Sequence, residues 1–184
     1  LAEVFNDADA LSRYDQSGCT LEERENDPRD RLVRMARGAY FIHTFEKMSA
    51  RIVMTAKISC KGGILAAAIL GVTDTICGAV LDGDMLRTMD GEDVAPYAEG
   101  DELSLRLVLD TERGEYDIWT NSRLAYRGAA VLSDGEPAAV AFSSDGDATL
   151  DNLYLFDDTE IYAAREEFDA DASALIPSEN AALT

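Results

Sequence analysis

Glu102-Leu-Ser-Leu-Arg-Leu-Val-Leu-Asp110, followed after Thr111-Glu-Arg-Gly114 by Glu115-Tyr-Asp-Ile-Trp-Thr120, is the stretch that decides how this chain folds. Leu103, Leu105, Leu107 and Leu109 recur at every second position, with Ser104, Arg106, Val108 and Asp110 between them. Successive side chains on an extended strand point to opposite faces, so the leucines share a core face and the other face is partly polar. The second run repeats the pattern, with Tyr116 and Ile118 on one side and Asp117 and Trp119 on the other. The polar connection ending in Gly114 makes the pair a hairpin with a longer loop.

Working outward, a third strand is expected at 124–132 after the polar turn Thr120-Asn-Ser-Arg123, and further strands at 137–143 and 149–156. Earlier in the chain, short apolar runs at 32–35, 39–43, 51–60, 64–71, 76–81 and 85–89 are punctuated by Lys61-Gly-Gly63 and Asp82-Gly-Asp84. Many short strands with turn residues between them predict an all-β fold, an antiparallel β-sandwich. The charge-dense segment 22–30, with Pro28 inside it, reads as a surface loop. After Phe156 the period changes: Ile161, Ala164 and Phe168 fall at helical spacing behind the possible cap Asp158. The division expected is a sandwich domain over 1–157 and a short C-terminal helix and tail over 158–184.

A chain of 184 residues is one ordinary domain, long enough to bury about 70% of its unfolded surface without staples. Its 36 acidic and 16 basic residues give a formal charge of −20, a field that repels phosphate backbones and anionic bilayers. Neither nucleic acid nor a membrane is an expected partner. Lys47, Lys57 and Lys61 are the only lysines, a balance that fits a solubility-driven surface, a salt-exposed protein or an arginine-rich genome. Cys19, Cys60 and Cys77 are too few for a zinc site, and free buried thiols are expected, with a Cys60–Cys77 bridge left open. No run of 18 apolar residues occurs and no charged n-region leads into a hydrophobic h-region, so neither a transmembrane span nor an intact signal peptide is expected in this stretch. The start at Leu1 suggests a processed product or a piece of a longer polypeptide.

Chemistry is sparse. His43 is the only histidine, it follows Tyr40-Phe-Ile42 in an apolar strand, and no G-x-S-x-G elbow exists, so a hydrolytic triad is not expected. Glycoside hydrolysis needs two carboxylates facing one cleft, yet Glu99-Gly-Asp101-Glu102 runs straight into the core strand at Leu103 and reads as a turn. Oxygen-rich loops at Asp82-Gly-Asp84, Asp90-Gly-Glu-Asp93 and Asp145-Gly-Asp147 with Asp151 offer calcium-type ligands but match no EF-hand spacing. Trp119, the only tryptophan, either stacks on a sugar ring or is covered by a second layer. Arg106 and Lys57 are cations in central strands; they serve sugar hydroxyls or carboxylates, or pair across strands with Asp117 or another acid.

Gly100-Asp-Glu-Leu-Ser-Leu-Arg-Leu-Val-Leu-Asp-Thr-Glu-Arg-Gly-Glu-Tyr-Asp-Ile-Trp-Thr-Asn121, with Ala141-Phe-Ser-Ser144 and Leu150-Asp-Asn-Leu-Tyr-Leu-Phe156, resembles the concanavalin A-like lectin/glucanase jelly roll. In that superfamily a strand ending in aspartate turns into one like Tyr116-Asp-Ile-Trp119, and a final strand like Leu150-Asp-Asn-Leu153 closes the sandwich beside the first. The resemblance spans most of 2–157, with Val4-Phe5-Asn6 as the first strand and 51–60 as the long early strand. Members include glycan-binding modules, glycoside hydrolases, polysaccharide lyases and structural domains. Many carry calcium on the convex side, held partly by an aspartate of the last strand; by position this implies Asp151 with Asn6 nearby. The glucanase-type acidic triplet is absent, as are the Arg, Gln-x-His and Tyr motifs of alginate lyases.

These readings converge on a non-catalytic carbohydrate-binding or accessory module, extracellular or at the cell surface, adjoining other domains of a larger glycan-processing protein. A glycan is the expected partner, and Trp119, Arg106, Lys57 and Asp117 are the candidate contacts on one sheet face. The alternatives are a hydrolase or lyase of the same fold and a structural or protein-interaction domain.

Overall fold

The computed structural model describes residues 2–3, 5–24, 27–46, 48, 50–132 and 136–157. Thirteen strands fill it: β1 (Ala2–Glu3), β2 (Asp15–Arg24), β3 (Asp27–Thr44), β4 (Arg51–Lys61), β5 (Ile64–Leu70), β6 (Thr75–Asp82), β7 (Met85–Thr88), β8 (Asp93–Pro96), β9 (Leu103–Asp110), β10 (Glu115–Thr120), β11 (Arg123–Ala129), β12 (Ala139–Ser144) and β13 (Asp147–Asp157). One 3-10 turn, Ala10–Arg13, precedes β2. Every strand pairing is antiparallel.

Hydrogen bonds run through the order β11-β10-β9-β4-β13-β3-β12-β5-β6-β7-β8, with β1 added on β13 and β2 on β3. The sandwich is made at β3. Its first half pairs with β13 through Val33 and Met35, and its second half pairs with β12 through residues 39–44. One strand thus belongs to both layers, and the sheet closes over itself. The leucines of β9, Met54 and Ile58 of β4 and Ile118 of β10 meet Leu65 and Ile69 of β5, Leu81 of β6 and Phe142 of β12 in a single core. An inter-layer backbone bond from Val131 N–H to the Ile76 carbonyl (2.9 Å) ties the segment after β11 to the opposite layer.

The alternation of the β9–β10 hairpin is realised as expected, since Leu105, Leu107, Leu109 and Ile118 are almost fully buried. Three expectations are corrected. The segment 22–30 is not a loop: β2 and β3 form a hairpin through it. Its charges satisfy one another, with Arg24 on Asp30 (3.1 Å), Arg31 on Glu23 (3.1 Å) and Arg34 on Glu22 (2.8 Å). Paired opposite charges across two strands are compatible with a sheet, whereas a charge run read without its partner strand looks like a loop. The strands anticipated at 32–35 and 39–43 are one 18-residue strand. The first strand ends at Glu3 instead of running through Phe5 and Asn6, because Phe5 takes φ +56° and drops its ring into the core, edge-on to Phe41 at 5.8 Å. The C-terminal helix expected after Asp158 lies outside the described residues.

Candidate functional site

Strand register puts the outward side chains of one layer in rows. Tyr154 of β13 stands opposite Thr55 of β4, Thr55 opposite Arg106 of β9, Arg106 opposite Trp119 of β10, and Trp119 opposite Leu124 of β11. The neighbouring row runs from Asp151 through Lys57 to Ser104. From these rows Thr55, Lys57, Ser104, Arg106, Trp119 and Tyr154, together with Ser122 and Asn152, line a groove of about 530 Å3. That volume lies in the range of small-ligand sites, about 300–1,000 Å3.

Two backbone irregularities shape the rim. The register of β13 against β4 shifts between Asp151 and Tyr154, and Asn152 sits there at φ +50°. Asparagine tolerates this left-handed conformation better than most side chains, and a bulge re-aims the residues beside it. Here it brings both Asn152 and Tyr154 to the groove while Leu153 and Leu155 stay in the core. On the opposite side, Asn121 (φ +49°) and Ser122 (φ +67°) form the two-residue turn between β10 and β11. Positive φ at both central positions is the turn geometry that matches strand twist. The Asn121 side-chain oxygen accepts from Ser104 N–H (3.2 Å) and its own N–H donates to the Ser104 carbonyl (2.9 Å), fixing the hairpin tip beside the groove.

The walls are aromatic and the floor is cationic. The Arg106 guanidinium lies over the Trp119 ring, 5.9 Å from its centroid. Such an arrangement attracts the cation to the ring's π face. The Trp119 indole nitrogen is buried and has no hydrogen-bond partner among the described residues. Lys57 Nζ is 3.2 Å from Glu102, which is also bonded by Arg24 at 3.0 Å. Burial pushes the Glu102 carboxyl up, but the hydrogen bonds from Arg24 and Lys57 outweigh it and hold it below the ordinary range. Among the described residues, no aspartate, glutamate or histidine lines the groove.

Of the four expected contacts, Trp119, Arg106 and Lys57 therefore come together, and Asp117 does not join them. Asp117 shares their face but lies one row away, opposite Val108 and Arg127. Only 7% exposed, it is gripped by Arg127 through two hydrogen bonds of 2.7 and 2.9 Å. Tyr154, Asn152 and Ser122 were missed by sequence reasoning. The alternation of Leu153, Tyr154 and Leu155 signalled an outward tyrosine, but the bulge that carries Asn152 left no mark in composition.

No protein-family model matches the sequence, and no curated protein matches it. Solved structures do. A sialidase superposes over 97% of this chain with a TM-score of 0.70 at 10% identity. The fold is the concanavalin A-like jelly roll. This jelly roll spans 21% of that sialidase's length. An endo-beta-1,4-glucuronan lyase from the fungus Trichoderma reesei matches 77% of the chain over 88% of its own, with a TM-score of 0.56 at 9% identity. A Bacillus subtilis protein with a galectin-like fold matches 84% over 94%, with a TM-score of 0.53 at 11% identity. Identities this low establish the fold alone.

The calcium position implied for such jelly rolls falls at Asp151 and Asn6. Asp151 is 3% exposed, and Arg24 reaches its Oδ2 at 2.6 Å while its Oδ1 accepts from Asn152 N–H at 2.7 Å. Asn6 Oδ1 accepts from Arg31 N–H at 3.0 Å. A calcium ion at Asp151 would have to displace a guanidinium that already supplies the positive charge, so the residues as placed do not fit one. The other acidic loops are engaged in the same way: Asp82 and Asp93 hold Arg87, Asp145 meets Arg37 at 3.4 Å, and Asp147 meets Arg34 at 2.6 Å. Among the described residues no group of three or more His, Cys, Asp or Glu side chains gathers as a metal site.

His43 packs edge-on against Tyr14 at 5.6 Å, in the cluster of Phe5, Phe41 and Phe142, and burial lowers its pKa. It does not line the groove. Cys19, Cys60 and Cys77 are free thiols; burial pushes Cys19 up to about 11 and raises Cys60 and Cys77 as well.

Proposed function

We propose that this chain is a non-catalytic carbohydrate-binding module whose glycan site is the groove between Tyr154 and Trp119. The observation that carries the reading is the cross-strand row Tyr154, Thr55, Arg106 and Trp119. A pyranose ring has apolar C–H faces that pack on flat aromatics, and hydroxyls at its edge that need donors and acceptors. The row offers both, with Trp119 and Tyr154 about the width of two intervening strands apart and Asn152, Ser104 and Ser122 around them. Among the described residues no carboxylate or imidazole lines the groove, which supports binding over hydrolysis, a reaction that needs an acid and a base there.

The jelly-roll unit also recurs within a much longer sialidase chain, which supports an exported accessory module beside glycan-processing domains. No helix among the described residues is long and apolar enough to cross a membrane. Glycan-array binding of the purified chain, compared with the Trp119→Ala variant, tests the proposal. Array binding lost in the folded variant supports it, and binding retained at full strength removes the groove from the site. Product release from a polysaccharide panel would instead favour a lyase or hydrolase.

A further inference from the structure

Within that carbohydrate reading, on which it rests, we infer that the groove selects a carboxylate-bearing sugar and that Arg106 is the residue that recognises the carboxylate. The chain has 36 acidic residues against 16 basic ones, yet among the described residues the groove is lined by Lys57 and Arg106 and by no acid. A random patch of such a surface would carry about two acids for every base. The groove inverts the protein's charge balance.

The donor pattern points the same way. Arg106 and Lys57 are donors only. Asn152, Ser104 and Ser122 at the rim both donate and accept. A neutral sugar hydroxyl both gives and takes hydrogen bonds, whereas a carboxylate only accepts. The two cationic donors are therefore better matched to the carboxylate. Arg106 is the better of the two cations for this task. Its guanidinium lies over the Trp119 ring, and a planar fork meets a planar carboxylate through two parallel bonds. Lys57, 3.2 Å from Glu102, supplies a compact point charge at the groove's other row, with no fork to match a carboxylate.

The −20 field of the whole molecule opposes long polyanions, but screening confines it to about 8 Å at physiological salt. Contact-range attraction to an acidic sugar survives that screening.

Isothermal titration of the full chain with five probes tests the inference: sialyllactose and a galacturonate tetrasaccharide as carboxylated ligands, lactose and cellotetraose as neutral ones, and a κ-carrageenan tetrasaccharide as a sulfated one. We expect a carboxylated probe to bind at least about tenfold more tightly than its neutral counterpart, the difference expected of a charged hydrogen-bonded contact. Arg106→Gln should erase that difference, and Arg106→Lys should retain part of it. Circular dichroism melts confirm folding, and Lys57→Gln serves as a second, more exposed variant expected to weaken the carboxylated probe less than Arg106→Gln. Equal affinity for charged and neutral probes, or an unchanged preference in Arg106→Gln, overturns the inference and leaves the carbohydrate reading standing. Tighter binding of the sulfated probe overturns the carboxylate assignment. No binding by any probe overturns both.

Discussion

At the scale of single residues, strand alternation was informative and partner identity was not. Trp119, Arg106 and Lys57 could be set on one face because period-two alternation in β9 and β10 needs only local sequence. The pairing of Asp117 could not, because its partner Arg127 lies on the next strand and depends on that strand's register. Tyr97 is a residue of the same kind that the sequence did not mark. Its hydroxyl accepts from Cys60 N–H (3.0 Å) and Gly100 N–H (3.2 Å) and donates to the Asp101 carbonyl (2.8 Å), fastening the 97–101 turn to the end of β4. Tyr97→Phe keeps the ring and leaves those buried groups short of a partner, so urea unfolding should show a loss of about 1–3 kcal/mol. His43 sets a pH effect. Its folded pKa lies below the ordinary 6.5, so above that pH the group contributes nothing. As pH falls through about 6.5 the unfolded chain takes up the proton first and stability declines until folded His43 is protonated. Between pH 8 and 5.5, His43→Phe should lose less stability than the native chain in paired denaturant melts; an identical decline would remove His43 as the cause.

At the scale of elements, the strands of the β9–β10 hairpin and of β4 to β7 were legible, and the β2–β3 hairpin was not. Isolated in sequence, Glu22, Glu23, Arg24, Asp30 and Arg31 look like solvated loop; folded, they face one another across two strands. Arg24 does more than decorate this hairpin. It reaches from β2 to Asp151 of β13 and to Glu102 before β9, so it stitches the hairpin to the layer that carries the groove. Arg24→Ala would leave Asp151 buried without its cation. Discounted for the partial exposure of Arg24, the loss should be about 1–3 kcal/mol in chemical denaturation. The β13 bulge is the second device. Asn152→Val places a β-branched residue at φ +50° and should cost about 1–2 kcal/mol and weaken glycan binding, while Asn152→Gly should keep the fold. Equal stability of the two variants would show that the bulge does not hold this conformation in solution.

At the scale of the whole molecule, the sandwich was readable because its core strands announce themselves by alternation, and closure was not, because it depends on β3 pairing with β13 in one half and β12 in the other. The groove is a product of that closure together with the register of five strands: β13, β4, β9, β10 and β11. The charge of −20 acts on the molecule as a body. Self-repulsion among the carboxylates opposes the compact state and is screened by salt. The thermal midpoint should therefore rise as sodium chloride goes from about 0.05 to 0.5 M, where the Debye length shortens several-fold. A fall would mean that the surface arginine–carboxylate pairs outweigh the net repulsion.

The central claim is that a glycan sits against Trp119, and the chain offers a direct probe because Trp119 is its only tryptophan. The measurement is the single indole N–H signal in a 15N-edited NMR spectrum, followed as an acidic oligosaccharide is added. The account predicts that this signal shifts progressively and saturates with the same affinity that calorimetry reports, as the sugar packs against the ring. An indole signal that stays in place while calorimetry records saturable binding would put the glycan elsewhere on the molecule and contradict the account.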